Sequence, residues 1–496
     1  MGYLLSKSRF QSGRQCHKRL WLEVHRRDLL KYNEADKAKF AEGNRFGELA
    51  RTLLGVGELV KADHFYFEDA RTETNALLVQ PLNAVSLLFE PAFEHAGVRV
   101  RVDALEKRLM HWFSMIEVKS GTKVKPEHLW DCAIQTWVLR EGGFEDSLDE
   151  IFLAHADNSF VYVREGDYEG LLKQVDITSD VEELLPDVPG IVVELNAVLA
   201  GPQPEIVTGP HCKTPYECPF LAHCRASELP PAEYPVELLP HAGKLVAELA
   251  REGYRDMRDV PLERLKTDKQ RRIAEATRTG IAFVSPELGD TLDALPWPRS
   301  YIDFETIAFT IPRWLGTRPW QQLPFQFSCH IEHQDGRVEH REFLDLSGDS
   351  PLPGFVAALQ AAVHDTGPIL VWNQGFEAGR LRDLAGMFPE HAASLHGLID
   401  RMIDLLPMFR EHYYHPDMRG SWSIKKVLPT IAPGLDYDDL EIGNGGDAQL
   451  GYLRATAVDT PADEKERLRQ QLLDYCERDT LAMVRLAQWR PSSSSL

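Results

Sequence analysis

Ser300-Tyr-Ile-Asp303-Phe-Glu305-Thr306 places two acids at alternate positions of an apolar run. A strand sends every second side chain to the same face, so Asp303 and Glu305 emerge together and can share a cation. Downstream, the apolar run Ile369-Leu-Val-Trp372 leads into Asn373-Gln-Gly-Phe-Glu377-Ala-Gly-Arg-Leu381, which adds Glu377. Tyr475-Cys-Glu-Arg-Asp479 adds a fourth acid. On a helix, Tyr475 and Asp479 align with Leu472, Met483 and Leu486 and point inward. A buried acid needs a partner, and a metal is one. Two divalent ions held by oxygen ligands can activate water and stabilise the leaving oxygen of a phosphodiester, and such ligands suit magnesium or manganese. The alternative is that Asp303 and Glu305 cap a turn while Asp479 forms an internal salt bridge; three pieces in order favour the metal. Asp404, in Met402-Ile-Asp-Leu405, is a further candidate ligand or a helix N-cap.

Residues from about 298 to 488 resemble the DEDD exonucleases of RNase H-like type, in the subclass with a tyrosine in the last motif. The resemblance implies a mixed sheet, metal ligation by Asp303, Glu305, Glu377 and Asp479, orientation of the attacking water by Tyr475, and release of product from a 3′ end. Asn373, Phe376 and Leu381 match the family. Glu377 departs from its usual aspartate, and the added methylene would displace or weaken the second metal.

A second signature lies in the N-terminal half. Val98-Arg-Val-Arg-Val-Asp103 alternates as one strand, and Met115-Ile-Glu117-Val-Lys119 forms another after a hairpin-like connection. Asp103 followed by Glu117-Val-Lys119 is the pattern of the PD-(D/E)xK nucleases, whose two acids bind metal while the lysine positions or helps deprotonate water. An exposed charged hairpin would read the same way. Gln135 falls where RecB-like members carry a supporting glutamine. Their first motif often has histidine where this chain offers Glu48, which is either a substitute ligand or a solvent-facing helix residue.

Cys16 lies upstream of this core, and Cys212, Cys218 and Cys224 follow it. The layout resembles RecB-like nucleases with an iron-sulphur cluster. Four thiolates suit a 4Fe-4S cluster, with zinc as the alternative, and either would clip the first helix to the end of the domain. Structural disulfides are disfavoured because no signal peptide is evident. Cys132, Cys329 and Cys476 read as buried thiols.

The 496 residues allow two or three full cores, and 43% hydrophobic with 26% charged residues is ordinary for a soluble chain. No apolar stretch reaches the roughly 20 residues that span a bilayer, so no membrane association and a cytoplasmic location are expected. A net charge of -21 disfavours broad binding to long duplexes and fits DNA ends or single strands approached through a local basic patch. Lys7, Arg9, Arg14, Lys18 and Arg19 supply one, with Phe10 and Trp21 as stacking candidates; a solvated helix face is the plain alternative. Gly420-Ser-Trp-Ser-Ile-Lys-Lys426 offers Ser423 and Lys425 at a helix start, and Asn373 is a further nucleic-acid contact candidate.

With Leu5-Ser-Lys-Ser-Arg-Phe10, the cysteine run and Tyr475-Cys-Glu-Arg-Asp-Thr480, the chain resembles an uncharacterised bacterial family, domain of unknown function 2779. The expected architecture is α/β. Residues 1–226 form a PD-(D/E)xK restriction-endonuclease-like domain, and 227–297 a linker with a small helical module. Residues 298–490 form the RNase H-like domain, and 491–496 a disordered tail. The expected activity is metal-dependent exonucleolytic hydrolysis of DNA in repair or defence. A non-catalytic nucleic-acid end binder and an RNA-processing exonuclease are the alternatives.

Overall fold

The computed structural model describes residues 4–490 except 64, 110, 111 and 229, so the expected tail at 491–496 lies outside the described residues. The chain is mixed α/β and divides into two compact units, one of residues 1–229 with 309–321, the other of 230–308 with 322–496.

The first unit contains β1 (Leu5–Ser6), β2 (Glu58–Leu59), β3 (Leu87–Phe89), β4 (Ala92–His95), β5 (Val98–Arg101), β6 (Ala104–Lys107), β7 (Phe113–Lys119), β8 (Leu148–Ala156) and β9 (Leu172–Asp176). Six form a mixed sheet in the order β2-β3-β6-β7-β8-β9, and β1, β5 and β4 form a smaller sheet. The expected single strand 98–103 is therefore two strands. The backbone bends at Val102-Asp103, so β5 pairs with β4 and β6 with β7, and Asp103 sits at the bend between the two sheets. The helix Pro126–Leu139 is buried along most of its length and packs against β4, β5 and β8. Its Ile134 and Val138 join Leu105, Met115 and Leu153 in the unit's main core. That burial turns Asp131 and Gln135, one helical turn apart, towards the sheet.

The second unit contains β10 (Phe283–Val284), β11 (Arg299–Ile307), β12 (Leu323–Glu332), β13 (Val338–Leu344), β14 (Ile369–Val371), β15 (Met402–Asp404) and β16 (Tyr413–Tyr414). Five form a mixed sheet in the order β13-β12-β11-β14-β15; β13, β12 and β11 run antiparallel, and β11, β14 and β15 parallel. Every residue of β12 is buried, as befits an inner strand, whereas β13 is largely exposed at the edge. Gly367 fixes the approach of β14: its φ is +84°, and a β-carbon there would lie 1.9 Å from the Pro298 carbonyl oxygen. The 27-residue helix Ala462–Gln488 buries Leu468, Leu472, Tyr475, Cys476, Asp479 and Met483 at helical spacing. Gln326 of β12 donates to the Leu472 carbonyl at 2.7 Å and ties helix to sheet.

Residues 230–297 belong to this second unit and contain the helices Gly243–Arg251 and Asp268–Thr279. The second begins only after a short turn. Leu262–Arg264 forms a 3-10 turn, and Thr267 caps the helix in a capping box with Gln270. Among the described residues, no helix is long and apolar enough to cross a membrane.

Candidate active sites and the cysteine cluster

In the second unit, one carboxylate oxygen from each of Asp303, Glu305 and Asp479 lies within 4.8 Å of the others. β11 supplies the first two by strand alternation. Its pairing with β12 slips immediately after Glu305, where Thr306 faces Pro324, and such a bulge re-aims the neighbouring side chains. Glu305 also meets the N-terminus of the helix Gly445–Ala455, since a β-carbon on Gly445 would lie 3.7 Å from Oε2. That helix end favours negative charge.

The four acids remain poorly compensated. Burial first, then Asp479, Glu305 and Glu377, drive the Asp303 carboxyl well above the usual range. Burial and Asp479 push Glu305 up to about 8, and burial takes Glu377 to about 8. Glu377 is 2% exposed, and its Oε2 has no hydrogen-bond partner. Asp479 rises to about 6 through burial, held back by the Tyr437 hydroxyl, Lys425 and Tyr475. Tyr437 donates to Asp479 Oδ1 at 2.5 Å. Lys425 spends its ammonium on Tyr475 Oη at 2.8 Å and the Gly443 carbonyl at 2.6 Å rather than on a carboxylate. Oxygen donors, uncompensated charge and an orphaned buried oxygen together fit hard divalent cations.

Asp404 does a different job. Its oxygens accept from the backbone N–H groups of Asn373, Gln374 and Leu406 at 2.9 to 3.0 Å, so it caps Leu405–His412 and fastens the turn before Glu377. Asn373, at φ 87°, is the left-handed hinge of that turn, and Ser423 is exposed at the start of Ile424–Ile431.

The first unit builds a second acid cluster of opposite character. Glu117 is fully buried; its Oε1 accepts from Lys119 at 2.6 Å and Lys7 at 2.9 Å, and its Oε2 from Gln135 at 2.9 Å. Lys119 also bridges to Asp131 Oδ2 at 2.5 Å. Asp103 accepts the Val118 N–H at 2.6 Å and stands 4.0 Å from Lys7. Burial alone would raise Glu117, but Lys119 and Lys7 hold it well below the usual carboxylate range. Burial and then Glu117 push Asp103 up to about 7. Glu48, exposed on the helix Glu34–Leu54, is not among the residues hydrogen-bonded to this cluster.

Cys16, Cys212, Cys218 and Cys224 line one small cavity with Lys18, Arg19, His211 and Phe220, and all are free thiols. Burial pushes the Cys218 thiol up to about 11 and raises Cys224, so holding them as thiolates calls for a cation. Four sulphurs are the donor set of an iron-sulphur cluster or of zinc, although no three of these lie within 4.8 Å of one another. Cys132, Cys329 and Cys476 are buried, the last with its Sγ 3.7 Å from the Asp303 carbonyl oxygen.

The expected basic patch is largely engaged within the unit. Lys7 occupies the acid cluster, and Arg9 donates to the Leu4 carbonyl at 2.7 Å. Arg14 stacks 3.7 Å over Trp130, Lys18 is 8% exposed, and Arg19 pairs with Glu23 at 2.9 Å. Phe10 lies in the core rather than on a stacking surface, and Trp21 donates to the Gly201 carbonyl at 3.0 Å.

Two site residues escaped the sequence reading, and a third has another role than expected. Asp131 had a signal, since it precedes Gln135 by one helical turn. Lys7, expected as a nucleic-acid contact, instead pairs with Glu117. Tyr437 carried no periodic signal: Arg478, on the motif helix, anchors its loop by a two-pronged pair with Asp439 at 3.1 Å.

Sequence comparison adds a family to this geometry. Residues 300–423 match the model of a domain of unknown function, DUF2779. The match is confined to this stretch. It contains Asp303, Glu305, Glu377 and Asp404 and ends before Lys425, Tyr437, Tyr475 and Asp479. An uncharacterised protein, UU173, of Ureaplasma parvum serovar 3 (strain ATCC 700970) is 30% identical over 216 residues. That match spans 39% of this chain and 31% of the relative's own length. The crystal structure of SSO0001 aligns with 46% of this chain and 89% of its own at 13% identity and a TM-score of 0.23, too low to support a fold assignment.

Proposed function

We propose that the chain is a metal-dependent phosphodiester hydrolase, a DNA exonuclease acting on ends or single strands through two hydrolytic centres. The observation that carries this reading is the convergence of Asp303, Glu305 and Asp479, with one oxygen of each within 4.8 Å of the others, beside Glu377, whose Oε2 is unpartnered. Asp303, Glu305, Glu377 and Asp479 would hold magnesium or manganese, which supplies an activated water and a counter-charge for the leaving oxygen. Tyr475, held by Lys425, would orient the attacking water, while Tyr437 keeps Asp479 ionised by donating to it. The mixed five-stranded sheet supports the RNase H-like reading of residues 298–490.

In the first unit, Asp103 and Glu117 would be the metal ligands, Lys119 would position the water, and Gln135 would fix the Glu117 carboxylate. Asp131 orients Lys119, and Lys7 must leave Glu117 before a metal can take its place. Cys16, Cys212, Cys218 and Cys224 would carry a 4Fe-4S cluster, with zinc as the other occupant of a four-sulphur site. A cytoplasmic role in repair or defence follows from this reading.

The test is side-by-side degradation of matched DNA and RNA strands with manganese or magnesium, using the wild-type chain and Asp303→Asn. DNA loss that needs metal and falls in the variant supports the proposal. Preferential RNA loss would replace DNA by RNA as substrate, and binding to strand ends without turnover would make the protein an end binder.

A further inference from the structure

Away from the acid clusters, β12 and β13 bring His330 opposite His340 in antiparallel register, and the helix Ala462–Gln488 adds Glu477 beside them. The two imidazoles stack with centroids 4.5 Å apart and planes 27° from parallel. Directly opposed side chains on neighbouring strands are close enough to share one ligand.

Two buried hydroxyl groups each hold one nitrogen of a ring. Thr480 Oγ1 lies 2.8 Å from His330 Nδ1, Ser328 Oγ lies 2.9 Å from His340 Nε2, and the two hydroxyls are 2.6 Å apart. His340 Nδ1 faces Glu477 Oε1 at 3.8 Å. One nitrogen from each ring and one Glu477 oxygen lie within 4.8 Å of one another.

We propose that His330, His340 and Glu477 form a separate binding site for a divalent ion of zinc type. Two imidazole nitrogens favour a borderline metal such as zinc over magnesium, which distinguishes this site from the all-carboxylate cluster. Ser328 and Thr480 fix the rings as outer partners of ligating histidines do. Tetrahedral zinc at its usual bond lengths sets ligand atoms roughly 3.3 Å apart, so closure needs movements on the order of 1 Å. Glu477 and His340 have side-chain exposures of 43% and 24%, which gives the ion an entry and leaves a fourth position for water. Such an ion would clip β12, β13 and the helix that carries Asp479, stabilising the fold around the acid cluster rather than performing its chemistry.

The test counts zinc on the full chain after dialysis in excess magnesium, which keeps the oxygen sites saturated, for wild type, His340→Gln and Glu477→Gln. Both replaced side chains are partly exposed, and the cysteines are unchanged in all three proteins. Wild type should retain about one zinc per chain more than either variant, and added zinc should raise its melting temperature more than theirs. Equal zinc content and equal thermal shifts in all three would overturn the site and leave His340 and Glu477 as a polar contact.

Discussion

Glu117 divides its carboxylate among Lys7, Lys119 and Gln135, whereas Asp303, Glu305 and Asp479 face one another while the nearby Lys425 donates elsewhere. Around Glu117, three carboxylates (Asp103, Glu117 and Asp131) meet two ammonium groups. In the second unit, Asp303, Glu305, Glu377 and Asp479 meet Lys425, with Arg380 acting on Glu377. Burying charge costs several kcal/mol per ion unless it is matched. The first cluster is largely matched from within, and the second is left short of positive charge.

The largest expected effect is on turnover. Asp303→Asn should lower metal-dependent cleavage by the second centre on the order of 10³-fold, read as initial rate on end-labelled single strands. A loss below about tenfold would mean that Asp303 does not hold the reacting metal.

Stability should then move in opposite directions at the two clusters. Glu117→Gln leaves Lys7 and Lys119 without their shared carboxylate and should destabilise the chain by about 3–5 kcal/mol. Asp303→Asn removes a carboxyl whose charged form burial and its acidic neighbours disfavour, and should stabilise the metal-free chain towards alkaline pH. Thermal melts without metal would expose a shared sign, which would break the contrast.

The pH dependence sharpens it further. Glu305 and Glu377 are raised to about 8, so the folded chain binds their protons more tightly than the unfolded one. Their contribution to stability is present below the unfolded value of about 4.3 and disappears as pH rises through about 8. Glu117 is lowered, so its contribution is present above that unfolded value and is lost as pH falls through its folded one. Metal-free melts from pH 5 to 9 should therefore decline towards the alkaline end. Manganese at a hundredfold excess over its Kd should restore about 2.7 kcal/mol there. A flat metal-free profile that manganese leaves unchanged would show that these acids are not waiting for a cation.

The smallest effect belongs to Tyr437→Phe. Losing its hydrogen bond should raise Asp479 from about 6 and move the acidic limb of the rate profile to higher pH by less than about one unit. The rate at pH 8 should stay within about tenfold of wild type, and an unmoved limb would detach Tyr437 from the reaction.

Local periodicity explains what was legible. Asp303 with Glu305, and Glu117 with Lys119, announce themselves by strand alternation, and Tyr475 with Asp479 by one helical turn. Asp103 was legible as a residue but not as the bend between β5 and β6, because that bend depends on which sheet each strand joins. Lys7 read as surface charge, since nothing local reveals a partner 110 residues away. Tyr437 and the helix start at Gly445 enter through loops, where tertiary closure rather than pattern sets position. Asp404 fitted both ligand and cap until its three backbone donors were seen.

Cleavage of 5′- and 3′-labelled single-stranded DNA with manganese, by wild type, Asp303→Asn and Lys119→Ala, tests the two-centre account most directly. The account predicts that each variant loses a different ladder while retaining the other. Intact DNA with the wild-type chain under both manganese and magnesium would contradict it.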